Sequence, residues 1–143
     1  MARDSPPGVR TGQPDKDRRG NRVVLRIGLL IVFSWFVIGG LGHFLAPQFF
    51  LKIVPPQLPL RIEAVYISGA FELAGALGLW SLRSRRAACW GLLLLTVAVT
   101  PANFYMWQHP ELFPAIPEVL LTLRLFLQAG LIWLIWTIGI RQR

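Results

Sequence analysis

The chain has 143 residues, 54% of them hydrophobic and only 15% charged, and this balance favours a membrane protein of one domain. The net charge of +8 would suit a nucleic-acid partner, but the basic residues flank apolar runs, as in membrane proteins, and we expect no nucleic acid. The single cysteine, Cys89, excludes an internal disulfide and a dithiol redox pair within one chain.

The chain begins with a polar and basic segment, residues 1–22, which contains charges, prolines and glycines but no apolar periodicity. This composition predicts a disordered cytoplasmic arm. Its basic residues either contact anionic lipid headgroups or only help to orient the first membrane span.

Four apolar segments follow, each about 20 residues or more, which at 1.5 Å per residue is enough to cross a hydrocarbon core of about 30 Å. They cover about residues 23–45, 62–82, 87–107 and 118–140. We therefore predict an all-α fold, with residues 23–143 forming a bundle of four transmembrane helices. The short basic turn at residues 83–86 makes the second and third spans antiparallel neighbours, and Pro101 predicts a kink in the third.

The connection between the first two spans, residues 46–61, is apolar and rich in proline. Its prolines forbid a continuous helix, and Pro47 is placed to begin a short one. Phe49 and Phe50 are too hydrophobic for free solvent. The segment either lies in the membrane interface as an anchor or forms a lid over a site between the helices.

Lysine and arginine are concentrated on one side of the predicted bundle, in residues 1–22, 83–86 and 141–143. The loops on the other side carry only Lys52 and Arg61. Because positive charge is retained on the cytoplasmic side, both termini are predicted to be cytoplasmic.

A carboxylate lies near the middle of the second span, at Glu72. Burial of a charge in lipid is costly, so this side chain should point into the protein, while the row Ala70, Ala74 and Gly78 should pack closely on another helix. With the spans alternating in direction, polar side chains of all four gather in the outer half of the membrane: His43, Tyr66, Ser68, Glu72, Asn103, Arg124 and Gln128. We expect Glu72 and Arg124 to pair, either as a structural clamp or in a binding or proton-handling site.

The sequence contains no metal-ligand spacing, nucleophile triad, phosphate loop or dinucleotide fingerprint. We therefore predict no catalytic residue and no metal ligand. The two histidines, His43 and His109, would suit a bis-histidine haem, but His109 precedes Pro110 in a loop, and we do not expect a haem. The predicted ligand-binding residues are His43, Tyr66, Glu72, Asn103, Arg124 and Gln128.

Several short motifs occur in order along residues 23–140: Gly42-His43-Phe44 with Pro47 and Phe50, Ile53-Val54-Pro55-Pro56, Leu58-Pro59, Val65-Tyr66-Ile67-Ser68-Gly69 with Glu72, Pro101-Ala102-Asn103 with Tyr105-Met106, and then Arg124 and Gln128. Together they resemble the DoxX family of small bacterial membrane proteins. The resemblance implies a four-helix, multi-pass protein of the bacterial cytoplasmic (inner) membrane. Some members of that family are subunits of quinone-linked sulfur oxidoreductases or belong to membrane complexes that handle oxidative stress, and most have no assigned role.

We therefore expect an accessory, non-catalytic subunit of a membrane oxidoreductase system, which binds a quinone-like amphiphile in the outer half of the bundle. Its partners would be the lipid bilayer and oxidoreductase subunits, and any thiol oxidation would have to come from such a subunit, because this chain lacks a cysteine pair. The alternative is a non-redox scaffold or small-molecule carrier in which Glu72 and Arg124 form a structural lock. Four spans are few for a carrier unless it dimerises, so a homodimer is a further possible partner arrangement.

Overall fold

The structure is a computed structural model, and it describes residues 14–140 of the chain and the side chains of residues 19–139. The described part is helical, without strands. The helices are α1 (Pro14–Leu45), α2 (Pro47–Ile53), α3 (Arg61–Gly78), α4 (Arg85–Ala98), α5 (Thr100–Gln108) and α6 (Glu118–Ile135). A 3-10 turn, Pro110–Leu112, precedes α6, and a π-helical turn, Trp136–Ile140, follows it.

Within the described residues, three helical segments are long and apolar enough to cross a membrane: Arg19–Leu45, Arg85–Gln108 and Glu118–Gly139. The prediction of an all-α membrane protein is confirmed at this level. The second predicted span corresponds to α3, which is not one of the three. Its 18 residues include three charged side chains, Arg61, Glu63 and Glu72.

α1 begins at Pro14, well before the predicted start of the first span. Residues 14–22 are therefore helical, and the prediction of a disordered arm is wrong for them. Proline suits the first position of a helix because its φ is preset and its missing N–H would have no partner there. The apolar span continues the same helix, so residues 14–22 extend an existing helix and do not need a separate, costly nucleation step. The rest of the predicted arm, residues 1–13, lies outside the described residues.

α3 ends at Gly78, earlier than the predicted boundary at residue 82. The Ser84 hydroxyl donates to the Gly78 carbonyl at 2.9 Å, and Arg85 Nε donates to the Leu79 carbonyl at 2.9 Å. The basic turn thus supplies donors to carbonyls that the end of a helix leaves free. A Cβ at Gly78 would lie 2.9 Å from that of Ala88, so α3 and α4 are close antiparallel neighbours, as predicted.

The third predicted span is divided into α4 and α5, which meet at Val99. Pro101 lies in the first turn of α5, where its lack of an N–H is tolerated. The predicted kink is therefore present as a break between two helices. The Thr100 hydroxyl donates to the Thr96 carbonyl at 3.1 Å, which supplies a partner to the backbone at this break.

α1 and α3 pack with glycine against glycine. A Cβ at Gly40 would lie 3.0 Å from the Gly69 carbonyl oxygen, so neither position has room for a side chain. The inward face of α3 carries Val65, Gly69, Glu72 and Ala76. Ala70 and Ala74 of the predicted packing row are exposed and lie outside this interface, while Gly78, its third residue, packs on Ala88 of α4.

Two apolar clusters lie at different levels of the molecule. The larger contains Leu29, Val32, Phe36, Ala76, Leu79, Cys89, Leu92, Leu93, Leu131, Ile135 and Ile138, and the smaller contains Ile53, Met106, Phe113 and Leu121. We call the end with the smaller cluster the α2 end and the end with the turn between α3 and α4 the basic end. Along α6 the buried residues are Leu121, Gln128, Leu131 and Ile135, so a polar level separates the two clusters.

Candidate functional site

A cavity of about 490 Å³ occupies this polar level, and residues of all six helices line it. Most of its lining is apolar. The polar side chains that line it are His43, Ser68, Glu72, Thr96, Asn103, Arg124 and Gln128. Ligand pockets in proteins typically have this size and this mixture of apolar walls with a few convergent polar groups.

One wall of the cavity, formed by α1 and α3, carries the carboxylate of Glu72. The residue is 9% exposed, and its Oε1 lies 3.5 Å from Nε2 of His43. Nδ1 of the same imidazole lies 3.3 Å from the Ser68 hydroxyl. Gly39 makes room for the carboxylate, because a Cβ there would lie 2.6 Å from Oε2 of Glu72. The structure therefore places a buried acid and a histidine side by side.

The Ser68 hydroxyl also lies 3.1 Å from the Val65 carbonyl. If it donates to that carbonyl, it accepts from His43 Nδ1–H. If it donates to Nδ1 instead, Nε2 carries the hydrogen. In either case Nε2 is the imidazole nitrogen that faces Oε1 of Glu72, at 3.5 Å.

The opposite wall carries a hydrogen-bonded chain that begins at the break between α4 and α5. Gln128 Nε2 donates to the Thr96 carbonyl at 2.9 Å and to the Thr100 hydroxyl at 2.6 Å. Its Oε1 therefore accepts from Asn103 Nδ2, at 2.5 Å. The Asn103 Oδ1 in turn accepts from Arg124 Nε, at 2.9 Å. Both amide groups are thus oriented by their neighbours.

This order of donors and acceptors fixes the guanidinium of Arg124. Its Nε is engaged by Asn103, and within the described side chains neither Nη group donates to a protein acceptor. Because Arg124 lines the cavity, the two Nη groups are the donors that a ligand can reach. A guanidinium presents such donors as a rigid planar fork, which suits an oxygen acceptor.

The predicted ion pair between Glu72 and Arg124 does not form. Among the described residues the salt bridges are His43–Glu72 and His109–Glu111, so Glu72 is paired across α1 and α3, while Arg124 is held by Asn103. The two charged side chains nevertheless line one cavity. The arrangement is an acid and a guanidinium on different walls, with space between them.

Of the six predicted ligand-binding residues, the structure brings five to the cavity: His43, Glu72, Asn103, Arg124 and Gln128. Tyr66 does not line it. It is 40% exposed and stacks on Phe44, with ring centroids 5.7 Å apart. The neighbouring residue Val65 occupies the inward position of α3 instead.

His109 is also separate from the cavity lining. Its Nδ1 lies 2.9 Å from Oε1 of Glu111, in the loop before α6. A backbone hydrogen bond, together with the one from His109, holds the pKa of Glu111 below its usual value. Within the described residues there is no cluster of three or more histidine, cysteine or acidic side chains that could hold a metal ion.

α2 and the loop after it close the cavity at the α2 end, where Phe50, Ile53, Val54 and Leu58 line it. The ring of Phe50 stacks on the His43 imidazole, with centroids 3.9 Å apart and planes inclined by 25°. This geometry supports the lid interpretation of residues 46–61. We refer to α2 and residues 54–60 as the lid.

The lid is tied to the start of α3 by Arg61, whose Nη2 donates to the carbonyls of Leu51 at 2.7 Å and Val54 at 2.8 Å. Leu60, the last lid residue, has φ 54° and ψ 42°. This left-handed conformation is uncommon for a residue other than glycine and costs energy. Leu60 and Arg61 together fix the path of the backbone from the lid into α3.

Thr96, Thr100, Gly39 and Phe50 contribute to the site but were not among the predicted ligand-binding residues. A signal for the two threonines was present, because they lie one turn apart just before Pro101, where a helix break frees backbone groups. A signal for Gly39 was also present, because the glycines at 39, 40 and 42 indicate close contact with another helix. The role of Phe50 depends on how α2 packs on α1, for which the sequence contains no local signal.

These observations define a helical protein of the membrane class with an amphipathic internal cavity. Residues 23–139 match a family described as "Domain of unknown function (DUF8561)", and the chain belongs to that family. No curated protein and no solved structure matches the chain. Because the family description assigns no activity, the function must be argued from the site.

Proposed function

We propose that this chain is an integral membrane protein that binds a quinone-like amphiphile in the cavity and serves as an accessory, non-catalytic subunit of a membrane oxidoreductase system. The observation that carries the proposal is the pair of polar walls in an otherwise apolar cavity, with Arg124 on one wall and Glu72 with His43 on the other. A quinone has an acceptor oxygen on each side of its ring and an apolar tail. The arrangement of polar and apolar groups in a quinone therefore matches the arrangement of polar and apolar side chains in the cavity lining.

In this proposal the Nη groups of Arg124 donate to one quinone oxygen, and the His43–Glu72 pair faces the other. When bound, the quinone would supply two-electron chemistry, with the electrons exchanged with a partner subunit. The residues of this chain hold and orient the head, keep the apolar part away from water, and hold one proton between His43 Nε2 and Glu72 Oε1.

We also propose that α3 crosses the membrane, so that the domain is a bundle of four transmembrane helices. The support is its close packing on both α1 and α4 and the inward direction of its only mid-helix charge, Glu72. Its other charges, Arg61 and Glu63, lie in its first turn, where they can reach the headgroup region.

The proposed location is the bacterial cytoplasmic membrane, with both termini in the cytoplasm. Gly28 near the start of the first span packs on Ile138, and the turn with Arg83, Arg85 and Arg86 lies at the same basic end. Cysteine residues introduced at Ser84 and at Leu58 test this orientation. We expect a membrane-impermeant maleimide added to intact cells to label the Leu58 variant and not the Ser84 variant, and the reverse pattern would refute the proposal.

The resemblance to the DoxX family remains part of this proposal. It is supported by the positions of the residues that carry it, because His43, Glu72, Asn103, Arg124 and Gln128 are all polar residues of the cavity. Oxidoreductase subunits as partners are proposed on the same resemblance. Their copurification from the native membrane would support the assignment.

Binding of a short-tailed benzoquinone to the purified protein in lipid nanodiscs tests the ligand. We expect the quinone to raise the unfolding temperature of the wild type and Arg124→Gln to weaken binding about tenfold or more, as for loss of a charged hydrogen bond. Lys52→Gln, which removes an exposed charge away from the cavity, is the matched control. Failure of the wild type to bind, or equal binding by Arg124→Gln, would refute the proposal.

The second candidate function is a non-redox scaffold or carrier, in which the polar residues lock the helices together. The Gln128 hydrogen bonds favour it, because they join α6 to the break between α4 and α5. A double-mutant cycle with Glu72→Gln and Arg124→Gln separates the two candidates. Strong coupling in the free energy of unfolding, without quinone binding by the wild type, would favour the lock.

A further inference from the structure

A second space, of about 530 Å³, lies between α3 and α4 on the outside of the molecule. Small residues form most of its floor and sides, among them Ala74, Gly78, Ala87 and Gly91. We call it the α3/α4 groove. Its only polar lining side chain is that of Ser84, whose hydroxyl is engaged by the Gly78 carbonyl. The groove is therefore suited to an apolar occupant.

The α3/α4 groove and the cavity adjoin. Leu95 and Ala98 line both spaces, so the groove and the cavity are neighbours along α4. Along α4 the groove runs from Ala87 to Ala98, which at 1.5 Å per residue is about 17 Å. One end of this path is apolar and faces the surroundings, and the other end contains the buried carboxylate of Glu72 and the Nη groups of Arg124.

We propose that the α3/α4 groove holds the apolar tail of the ligand whose head lies in the cavity. This inference rests on the proposed function and extends it, since it identifies the ligand as a long-chain amphiphile, such as a polyisoprenoid quinone, and not a short or compact one. Two observations carry it. Leu95 and Ala98 line both spaces, and the charged residues Glu72 and Arg124 line the cavity and not the groove.

The experiment fills the α3/α4 groove with a side chain. A Cβ added at Gly91 has no atom within 4 Å, so Gly91→Phe can enter the groove without displacing the helix. Gly130 also has no atom within 4 Å of such a Cβ, and it does not line the groove, so Gly130→Phe is the matched control. The probes are two benzoquinones with the same head, one with a single isoprene unit and the other with eight, measured in nanodiscs.

We expect Gly91→Phe to weaken binding of the long-tailed probe about tenfold, because the tail loses buried apolar contact, and to leave the short-tailed probe nearly unchanged. Gly130→Phe should change neither. Ala74→Phe fills the groove from an exposed position of α3 and should have the same effect. It replaces Gly91→Phe in the experiment if that variant does not fold.

Equal effects of Gly91→Phe on both probes, or no effect on either, would overturn the tail inference, while the proposed function stands if Arg124→Gln still weakens the short-tailed probe. Absence of binding of either probe to the wild type would instead remove the proposed function and this inference together. A change from dimer to monomer in Gly91→Phe, with an unaltered preference for the long tail, would identify the groove as an interface between two copies and overturn the inference.

Discussion

His43 and Glu72 belong to neighbouring helices, and Nε2 of His43 lies 3.5 Å from Oε1 of Glu72. The other imidazole nitrogen lies near Ser68, and one face of the ring stacks on Phe50 of the lid. A single side chain thus connects α1, α3 and the lid. Variants around this contact should therefore separate effects on helix packing from effects on the ligand.

Gly39→Ala should destabilise the protein, because its methyl group would lie 2.6 Å from Oε2 of Glu72 and force the carboxylate out of place. We expect the free energy of unfolding to fall by about 1–3 kcal/mol. Thermal unfolding in detergent measures the change. Gly130→Ala, with no atom within 4 Å of the added methyl group, is the control and should be neutral or slightly stabilising. Equal stability of the two variants would contradict the contact.

Thr100→Val should weaken quinone binding although Thr100 does not line the cavity. It removes the hydroxyl that accepts from Gln128 and so loosens the chain through Asn103 to Arg124. We expect a stability loss of about 1 kcal/mol and a severalfold weaker affinity. Thr137→Val, which removes a hydroxyl that donates to the Leu134 carbonyl in the π-helical turn after α6, is the control. An affinity equal to that of the control would show that this chain does not orient Arg124.

Arg124→Lys should bind the quinone about as poorly as Arg124→Gln. Lysine keeps the positive charge but lacks the fork that engages Asn103 through Nε while presenting the Nη groups to the cavity. The affinity of the short-tailed quinone is the measurement, and Arg26→Lys at the exposed basic end is the control. Full binding by Arg124→Lys would mean that charge, and not directed hydrogen bonding, holds the ligand.

Phe50→Ala should open the lid, because the stacking of Phe50 on His43 is lost together with part of the cavity lining. The stack contributes about 1 kcal/mol, so the quinone should dissociate about fivefold faster. Stopped-flow displacement measures that rate. Phe49→Ala removes a neighbouring lid ring that contacts Phe113 and does not line the cavity. Similar rates for both variants would argue for an interfacial anchor and against a lid.

The sequence alone predicts the depth of the site but not the pairing of its side chains. It placed His43, Glu72, Asn103, Arg124 and Gln128 at one level, because polar side chains in lipid must share the same few sheltered positions. It paired Glu72 with Arg124 because both carry charge. The structure pairs Glu72 with His43 instead, because α1 approaches α3 closely at Gly40 and Gly69, while the cavity separates α3 from Arg124.

The misassignment of Tyr66 has a related cause. Its depth suits the site, but its face of α3 is turned toward Phe44 and the outside. A hydropathy pattern cannot distinguish the two outcomes, because an aromatic ring with a hydroxyl is accepted at a membrane interface as readily as in a polar cavity.

By itself the sequence determined the all-helical membrane class, the break at Pro101, the short helix at Pro47 and the inward direction of Glu72. These follow from interactions that are local to one helix, or between a helix and lipid: prolines remove backbone donors, and lipid does not solvate charge. The tertiary structure alone decided that Gly39 and Gly40 admit α3 and its carboxylate, and that Leu95 and Ala98 line two spaces. Those outcomes depend on how side-chain surfaces of different helices fit together, which no single segment encodes.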